Sequence, residues 1–348
     1  MSPTPLRFRR SILSWYDRRG RHGLPWRGRF DPYRVLVSEF MLQQTGVSTV
    51  IPRFHRFLKS FPTLESLAEA KEERVLEEWS GLGYYARARN LRAAARAIRD
   101  EHGGMIPRSR EAVESLPGVG PYTAGALLSF AHDAPEALVD GNVIRVLSRI
   151  YGITGDVKDP ATLKTIWALA RTLTPPRGAR RYNSALMDLG ATVCRPSKPD
   201  CPACPFRRLC WARRRGREEE LPTSGRKGSK KNMILHAGLI RCGGRWALLR
   251  RPPRGLYSGL WEFPAVERPS NASSAEVELS LGDLLKTPVR LKRRLPPVAH
   301  TLSHREILLH PWLGETSSES GTRWFSADRI RGMAISSLTR KLLDLLPD

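Results

Sequence analysis

Apolar residues recur at steps of three and four along VLVSEFMLQQT, LESLAEAKEERVLEEW, RARNLRAAARAIRD and LKTIWALARTL. That is the period of an amphipathic helix. Short Gly and Pro breaks separate these segments, so residues 5 to about 212 read as mainly helical. The start joins the pattern: Phe8, Ile12, Trp15 and Tyr16 stand at i, i+4, i+7 and i+8 and predict one apolar face. From 213 to 232, in RRRGREEELPTSGRKGSKKN, the pattern gives way to charge, Gly, Ser and Pro, as in a linker. Beyond it the period changes. MILHAGLIRCGGRWALLRR predicts two strands around the turn Cys242-Gly243-Gly244, and GLWEFPAV, RRLPPVAHTLSHREILLHPWL and TRWFSA continue as short strands. SSLTRKLLDLL returns to a helical period, so the last third reads as a small α+β domain. No internal repeat is present.

One position breaks the pattern. Glu39, in RVLVSEFMLQQTGV, stands among Val35, Leu36, Val37, Phe40, Met41 and Leu42. A buried carboxylate is costly unless something compensates it.

Composition then narrows the class. The formal charge of +24 directs the chain to a polyanion, of which nucleic acid is the most abundant. No apolar run approaches the ~20 residues of a membrane span, and the N-terminus lacks a signal-peptide core. A cytoplasmic location without membrane attachment is expected. Cys194, Cys201, Cys204 and Cys210 are spaced C-x6-C-x2-C-x5-C, while Cys242 lies apart. Without a secretion signal, paired disulfides are not expected. Four thiolates in one loop suit a single metal centre, either tetrahedral zinc or an iron–sulfur cluster.

LPGVGPYTAGALLSF places Gly118, Val119 and Gly120 in a tight turn that opens a small-residue helix. Such a turn aims backbone N–H groups at an anion, and a helix N-terminus adds its dipole. About twenty residues later, Asp140 in LVDGNVIRVLSR precedes a helix expected to begin near Val143. Taken alone, Asp140 is a turn residue and helix N-cap.

Taken together, LPWR (24–27), SEFMLQQT (38–45), GLGYYARARN (81–90), PGVGPYTAGA (117–126), VDGNV (139–143), NSALMDLGATVC (183–194) and the cysteine spacing resemble the MutY-type adenine DNA glycosylases of the endonuclease III, helix-hairpin-helix superfamily. The likeness runs from about residue 6 to 212 and continues more loosely beyond. It implies a mainly α glycosylase region over 1–212, with a six-helix barrel at about 30–140. The N-terminal helix and 141–212 would form the iron–sulfur part, followed by the linker at 213–232 and a Nudix-like 8-oxoguanine-recognition domain at 233–348. The four cysteines would ligate one 4Fe-4S cluster, which holds Arg195, Lys198, Arg207 and Arg208 on a basic finger for the DNA backbone. The LPGVG turn would grip phosphate, and Asp140 would be the catalytic aspartate.

The implied chemistry gives Glu39 a purpose. Adenine leaves as a neutral base only if N7 gains a proton, and an acid among apolar side chains keeps its proton to higher pH. A second, ionised carboxylate then steadies the oxocarbenium-like sugar, as in other glycoside cleavages. The resemblance makes Glu39 the acid and Asp140 its partner, with Tyr122 and Asn142 steadying the pair. Trp26, Arg27, Leu42 and Ser184 would line a pocket for the flipped adenine; at 184 the family usually has Gln or Glu. Gln44 and Tyr84 would wedge into the vacated stack, and Thr45 and Leu82 would touch the opposing base.

Bifunctional relatives carry a Schiff-base lysine where this chain has Tyr122, so base removal without strand cleavage is implied. GLWEFP (259–264) resembles the Nudix-like domain, but residues 265–300 lack the acidic array of a working hydrolase. The family's lesion-reading Phe-Ser-His triplet is here Leu302, Ser303 and His304. The implied partner is double-stranded DNA carrying A:8-oxoguanine or A:G, engaged by a monomer. Two rivals remain: an endonuclease III-like lyase for oxidised pyrimidines, which lacks its lysine here, and a non-catalytic iron–sulfur DNA-binding protein, which would leave Glu39 and Asp140 structural.

Overall fold

Capping side chains set where the main helices of the computed structural model begin. Its described residues are 2–28, 30–225, 230–252, 255–302, 304–319 and 322–347. Asp31 caps α2 (Pro32–Leu42), which follows α1 (Pro5–Arg19). Next come α3 (Val47–Ser60), α4 (Leu64–Glu69), α5 (Glu72–Glu78), α6 (Ala86–Glu101), α7 (Arg110–Glu114) and α8 (Pro121–His132). Asp140 caps α9 (Gly141–Tyr151) and Asp159 caps α10 (Pro160–Leu173). In each case the carboxylate accepts N–H groups that the first turn leaves without helical partners. Then α11 (Ala179–Asp188) runs into a π-helical turn at Leu189–Val193. The helix after Asp140 thus starts two residues before the expected Val143.

The chain packs as two units, one of Met1–Glu69 with Asn90–Arg226, the other of Ala70–Arg89 with Lys227–Asp348. In the first unit, the expected face of α1 is buried: Phe8 and Ile12 are inaccessible to solvent, and Trp15 and Tyr16 are nearly so. Phe8 stacks on Phe206 with ring centroids 4.5 Å apart. Arg9 donates to the carbonyls of Thr172, Leu173 and Thr174, which closes α1 onto the end of α10. The segment α2 is apolar on nearly every side and packs against α8 and α3.

Polarity reads 213–232 as linker, but through Gly225 this stretch lies on the first unit. Arg149 Nε donates to Leu221 O at 2.8 Å, and Val157 N–H to Thr223 O at 3.0 Å. The Gly225 N–H donates to Asp156 at 2.9 Å. The segment's backbone carbonyls serve donors that would otherwise be unsatisfied, a role its composition does not advertise.

In the second unit, β1 (Lys231–Cys242) and β2 (Arg245–Arg250) form the expected hairpin, with Gly243 and Gly244 at its turn. The sheet is completed by β3 (Trp261–Glu262), β4 (Ala265–Glu267), β5 (Arg290–Arg294), β6 (Val298–Thr301), β7 (Arg305–Glu315) and β8 (Arg323–Phe325). Its centre is the parallel pair β1/β7, in register from Lys231↔Arg305 to Arg241↔Glu315. Side chains alternate across the sheet. Ala237, Leu239, Ile307 and Leu309 face a core shared with α13 (Ala327–Gly332) and α14 (Ser337–Leu343). On the other face, Trp312 packs with Val277 and Leu281 of α12 (Ser274–Leu285). Among the described residues no helix is long and apolar enough to cross a membrane.

The docking of α1 is testable. Phe8→Ala should lower the unfolding free energy by about 3–5 kcal/mol, as for other fully buried Phe truncations. Urea denaturation checks this, and a loss below about 1 kcal/mol would mean that α1 contributes little to the first unit.

Candidate active site

Because α2 is packed on nearly all sides, Glu39 has nowhere to turn except the interior edge of a cleft of about 920 Å³. The residue is 5% exposed. Tyr122, in the first turn of α8, donates its hydroxyl to Glu39 Oε2 at 3.2 Å. Burial pushes the Glu39 carboxyl up to about 7, while the Tyr122 hydrogen bond pulls it down. Asp140 raises it further and Arg27 lowers it. Neither Arg34 nor Arg145 pairs with it: Arg34 donates to Pro25 O, and Arg145 to Cys194 O, Gly141 O, Gly190 O and Asn142 Oδ1. Burial and the two nearby carboxylates hold the Tyr122 phenol well above its ordinary range, so it remains a donor.

Asp140 lies on the same cleft in a different setting. Its carboxylate accepts from Val143 N–H and from Asn142 Nδ2, both at 2.8 Å, at the positive end of α9. Burial raises its pKa, and these donors oppose the rise. Asn142 is fixed from behind by Arg145 and by the π turn, where Gly190 makes room. A Cβ on Gly190 would lie 2.6 Å from Asn142 Cβ.

The other expected pocket residues reach the same space. Trp26, Leu42 and Ser184 line the cleft, Trp26 edge-on to Phe54. Arg27 also lines it, but its guanidinium is committed to Asp188, at 2.8 and 3.0 Å. Gln44 and Thr45 stand at the rim after α2, with Gln44 in the left-handed region at φ 55°. Gly118 and Gly120 line it too, whereas Val119 is buried away from it. Gly118 has φ 77°, and a Cβ there would lie 2.6 Å from Asn90 Cβ, so the turn admits only glycine.

The remaining expected contacts belong to the second unit. Tyr84 is half exposed at φ 46°. Leu82 is 5% exposed, with its side chain packed inward. Leu302 is half-buried against the sheet core, and His304 is exposed beside it; Ser303 lies outside the described residues.

Two residues in the first unit escaped sequence reasoning. Gln43 lines the cleft and donates to Thr123 Oγ1 at 3.4 Å. Asp188, fully buried at the end of α11, accepts from Arg21 and Arg27. Burial would raise its pKa, but the Arg27 hydrogen bonds and charge, with those of Arg21, hold it below the ordinary value. Its signal was available, since an acid in the apolar string NSALMDLGATVC raises the same question as Glu39.

The four cysteines surround one small cavity with Arg149, Arg213 and Glu218. Phe206 N–H donates to Cys204 Sγ at 3.4 Å, and Arg149 Nη1 to Cys194 Sγ at 3.5 Å. Burial pushes Cys204 up to about 12 and raises Cys201 and Cys210, with neighbouring cysteines adding to each. Thiols so placed ionise only against a compensating metal charge, which fits a thiolate-held group. Among the described residues, no group of three or more His, Cys, Asp or Glu side chains forms a site for one metal ion. Arg195, Lys198, Arg207 and Arg208 are exposed on this loop.

Residues 37–172 match the HhH-GPD superfamily base excision DNA repair protein, and residues 236–345 match the NUDIX domain. The adenine DNA glycosylase of Homo sapiens is 36% identical over 404 residues, covering 96% of this chain and 73% of its own. That of Buchnera aphidicola subsp. Baizongia pistaciae is 31% identical, covering 98% and 97%. A solved thermostable thymine-DNA glycosylase shares 32% identity at a TM-score of 0.56, over 61% of this chain and 97% of its own. An endonuclease III–DNA complex, at 24% identity and a TM-score of 0.51, shares the fold over 62% and 98%.

Burial of Glu39 makes a prediction about stability. Its folded pKa of about 7 exceeds the ordinary 4.5, so the native state holds this proton more tightly than the unfolded chain. Its cost to stability therefore grows as pH rises from about 4.5 and is complete above about 7, on the order of 3 kcal/mol. Glu39→Gln should match the parent at pH 4.5 and exceed it in Tm at pH 8. A Tm difference independent of pH would show that the acid is not perturbed.

Proposed function

Since the chain belongs to the adenine DNA glycosylase family, we propose that it excises adenine mispaired with 8-oxoguanine or guanine from duplex DNA. Membership makes it a DNA glycosylase, a hydrolase of base excision repair that binds DNA. The observation that carries the proposal is the unequal solvation of two carboxylates on one cleft. Glu39 has a pKa of about 7 and one hydroxyl donor at 3.2 Å, whereas Asp140 has two N–H donors at 2.8 Å.

The adenine turns out of the helix into the cleft, against Trp26, Leu42 and Ser184. Glu39 delivers its proton to N7, the C1′–N9 bond breaks, and its electron pair leaves with the now neutral purine. Asp140 stays ionised beside the oxocarbenium-like sugar and lowers its energy. A water then bonds to C1′ and returns a proton to Glu39, leaving an abasic site. Tyr122 holds Glu39 in place, and Asn142 holds Asp140. No lysine lines the cleft among the described residues, which supports base removal without a Schiff-base intermediate.

Cys194, Cys201, Cys204 and Cys210 would hold a 4Fe-4S cluster, whose part is to brace the basic loop. The four cysteines line one cavity, and their thiolates suit such a cluster. Gln44, Thr45 and Tyr84 would act at the mispair, with Leu302, Ser303 and His304 at the opposing lesion.

Incubation with duplexes containing A opposite 8-oxoguanine should give strand breaks only after alkali. Breaks without alkali would point to a lyase, and no abasic sites at all to a binding protein. Glu39→Gln should slow excision by about a thousandfold with duplex affinity retained. The parent's single-turnover rate should fall as pH rises through about 7, because the acid form is lost there; a flat profile from pH 6 to 9 would remove Glu39 from the role. Visible iron–sulfur absorbance is expected, and a colourless zinc protein would contradict the cluster.

A further inference from the structure

The loop that carries Tyr84 is part of the second unit, together with the C-terminal chain. Gly81, Gly83 and Tyr84 all lie at positive φ, and for Tyr84 that backbone persists only when its surroundings hold it. Locally, Trp79 Nε1 and Arg87 Nη2 donate to Gly83 O, and Arg87 Nη2 also to Leu82 O at 2.8 Å. The Arg87 guanidinium lies over the Tyr84 and Trp79 rings.

The same body is tied to residues far along the sequence. Tyr85 donates its buried hydroxyl to Ile335 O at 2.9 Å. Arg89 donates to both the carbonyl and the hydroxyl of Ser258. Trp261 Nε1 donates to Glu73 at 3.3 Å, and Arg340 to Ser80 Oγ at 3.0 Å. All four ties come from segments flanking one exposed tyrosine, and all end on the C-terminal chain.

We infer that the C-terminal chain sets the position of Tyr84, with Tyr85 as the positioning residue through its bond to Ile335 O and Arg89 as its second anchor through Ser258. The inference rests on the wedge role of Tyr84 proposed above. It adds a duty for the C-terminal domain distinct from reading the lesion: the domain holds open-stack geometry by anchoring the wedge.

The test uses the full chain in a Glu39→Gln background, so that the duplex stays intact, with 2-aminopurine beside an A:8-oxoguanine mispair. Unstacking by the wedge raises its fluorescence. Tyr84→Ala should abolish the rise, and Tyr85→Phe and Ser258→Ala should each cut it about threefold or more, at unchanged duplex saturation. The Tyr84→Ala/Tyr85→Phe double variant should match Tyr84→Ala alone. A full rise in both Tyr85→Phe and Ser258→Ala, with Tyr84→Ala dark, overturns the positioning role and leaves the wedge standing. A full rise in Tyr84→Ala overturns both. A double variant worse in affinity than Tyr84→Ala also overturns it, because Tyr85 would then act elsewhere. Should Tyr85→Phe fail to fold, Arg89→Ala, which removes both bonds to Ser258, decides in its place, and a full rise there overturns the positioning role.

Discussion

A carboxyl kept from water between α2 and α8 is the constraint on which the cleft depends. Glu39 is nearly inaccessible and has a phenol as its hydrogen-bonding neighbour, so its charge is poorly compensated. Asp188, equally buried in the same unit, shows what full compensation looks like, with two guanidinium groups on its oxygens. One acid is pushed up and the other held down by environment alone. The Asp188 clamp also occupies Arg27, which keeps that cation from neutralising Glu39 directly. Arg27 still lowers the Glu39 carboxyl through space, but its hydrogen bonds go to Asp188.

The helix α9 links this chemistry to the cysteine loop. At its start Asp140 caps the first turn at the cleft. One turn on, Arg145 reaches Asn142, Gly190 O and Cys194 O. One further turn along, Arg149, 2% exposed, donates to Leu221 O, Arg195 O and Pro196 O. Two buried arginines on one face therefore hold the loop's backbone to the helix that presents Asp140. This gives the loop a mechanical reason to be rigid, separate from any contact of its basic side chains with a phosphate backbone. The exposed Arg195 and Arg207 are then free to meet a polyanion while the helix behind them stays still.

Much of this was legible in the sequence where the information is local. The face of α1, the Gly-Gly hairpin and the Asp140 cap follow from period, turn chemistry and capping, each decided within a few residues. Glu39 was legible because an acid in an apolar string has few explanations. What was not legible depends on long-range pairing. Nothing in Lys231–Cys242 specifies a parallel partner at Arg305–Glu315. The grouping of Ala70–Arg89 with the C-terminal chain depends on Tyr85 finding a carbonyl 250 residues away. Asp188 poses its question locally, but the answer needs Arg21 and Arg27 brought from far along the chain, whereas Val277, Leu281 and Leu285 of α12 recur at steps of four and carry a local helical period.

Difference infrared spectroscopy of the carboxyl stretch, with the Glu39→Gln spectrum subtracted, reads the proton on Glu39 directly. The account predicts a protonated carbonyl band that disappears with a midpoint near pH 7. A midpoint near the ordinary 4.5 would mean that the group is ionised before any base arrives, and would contradict it.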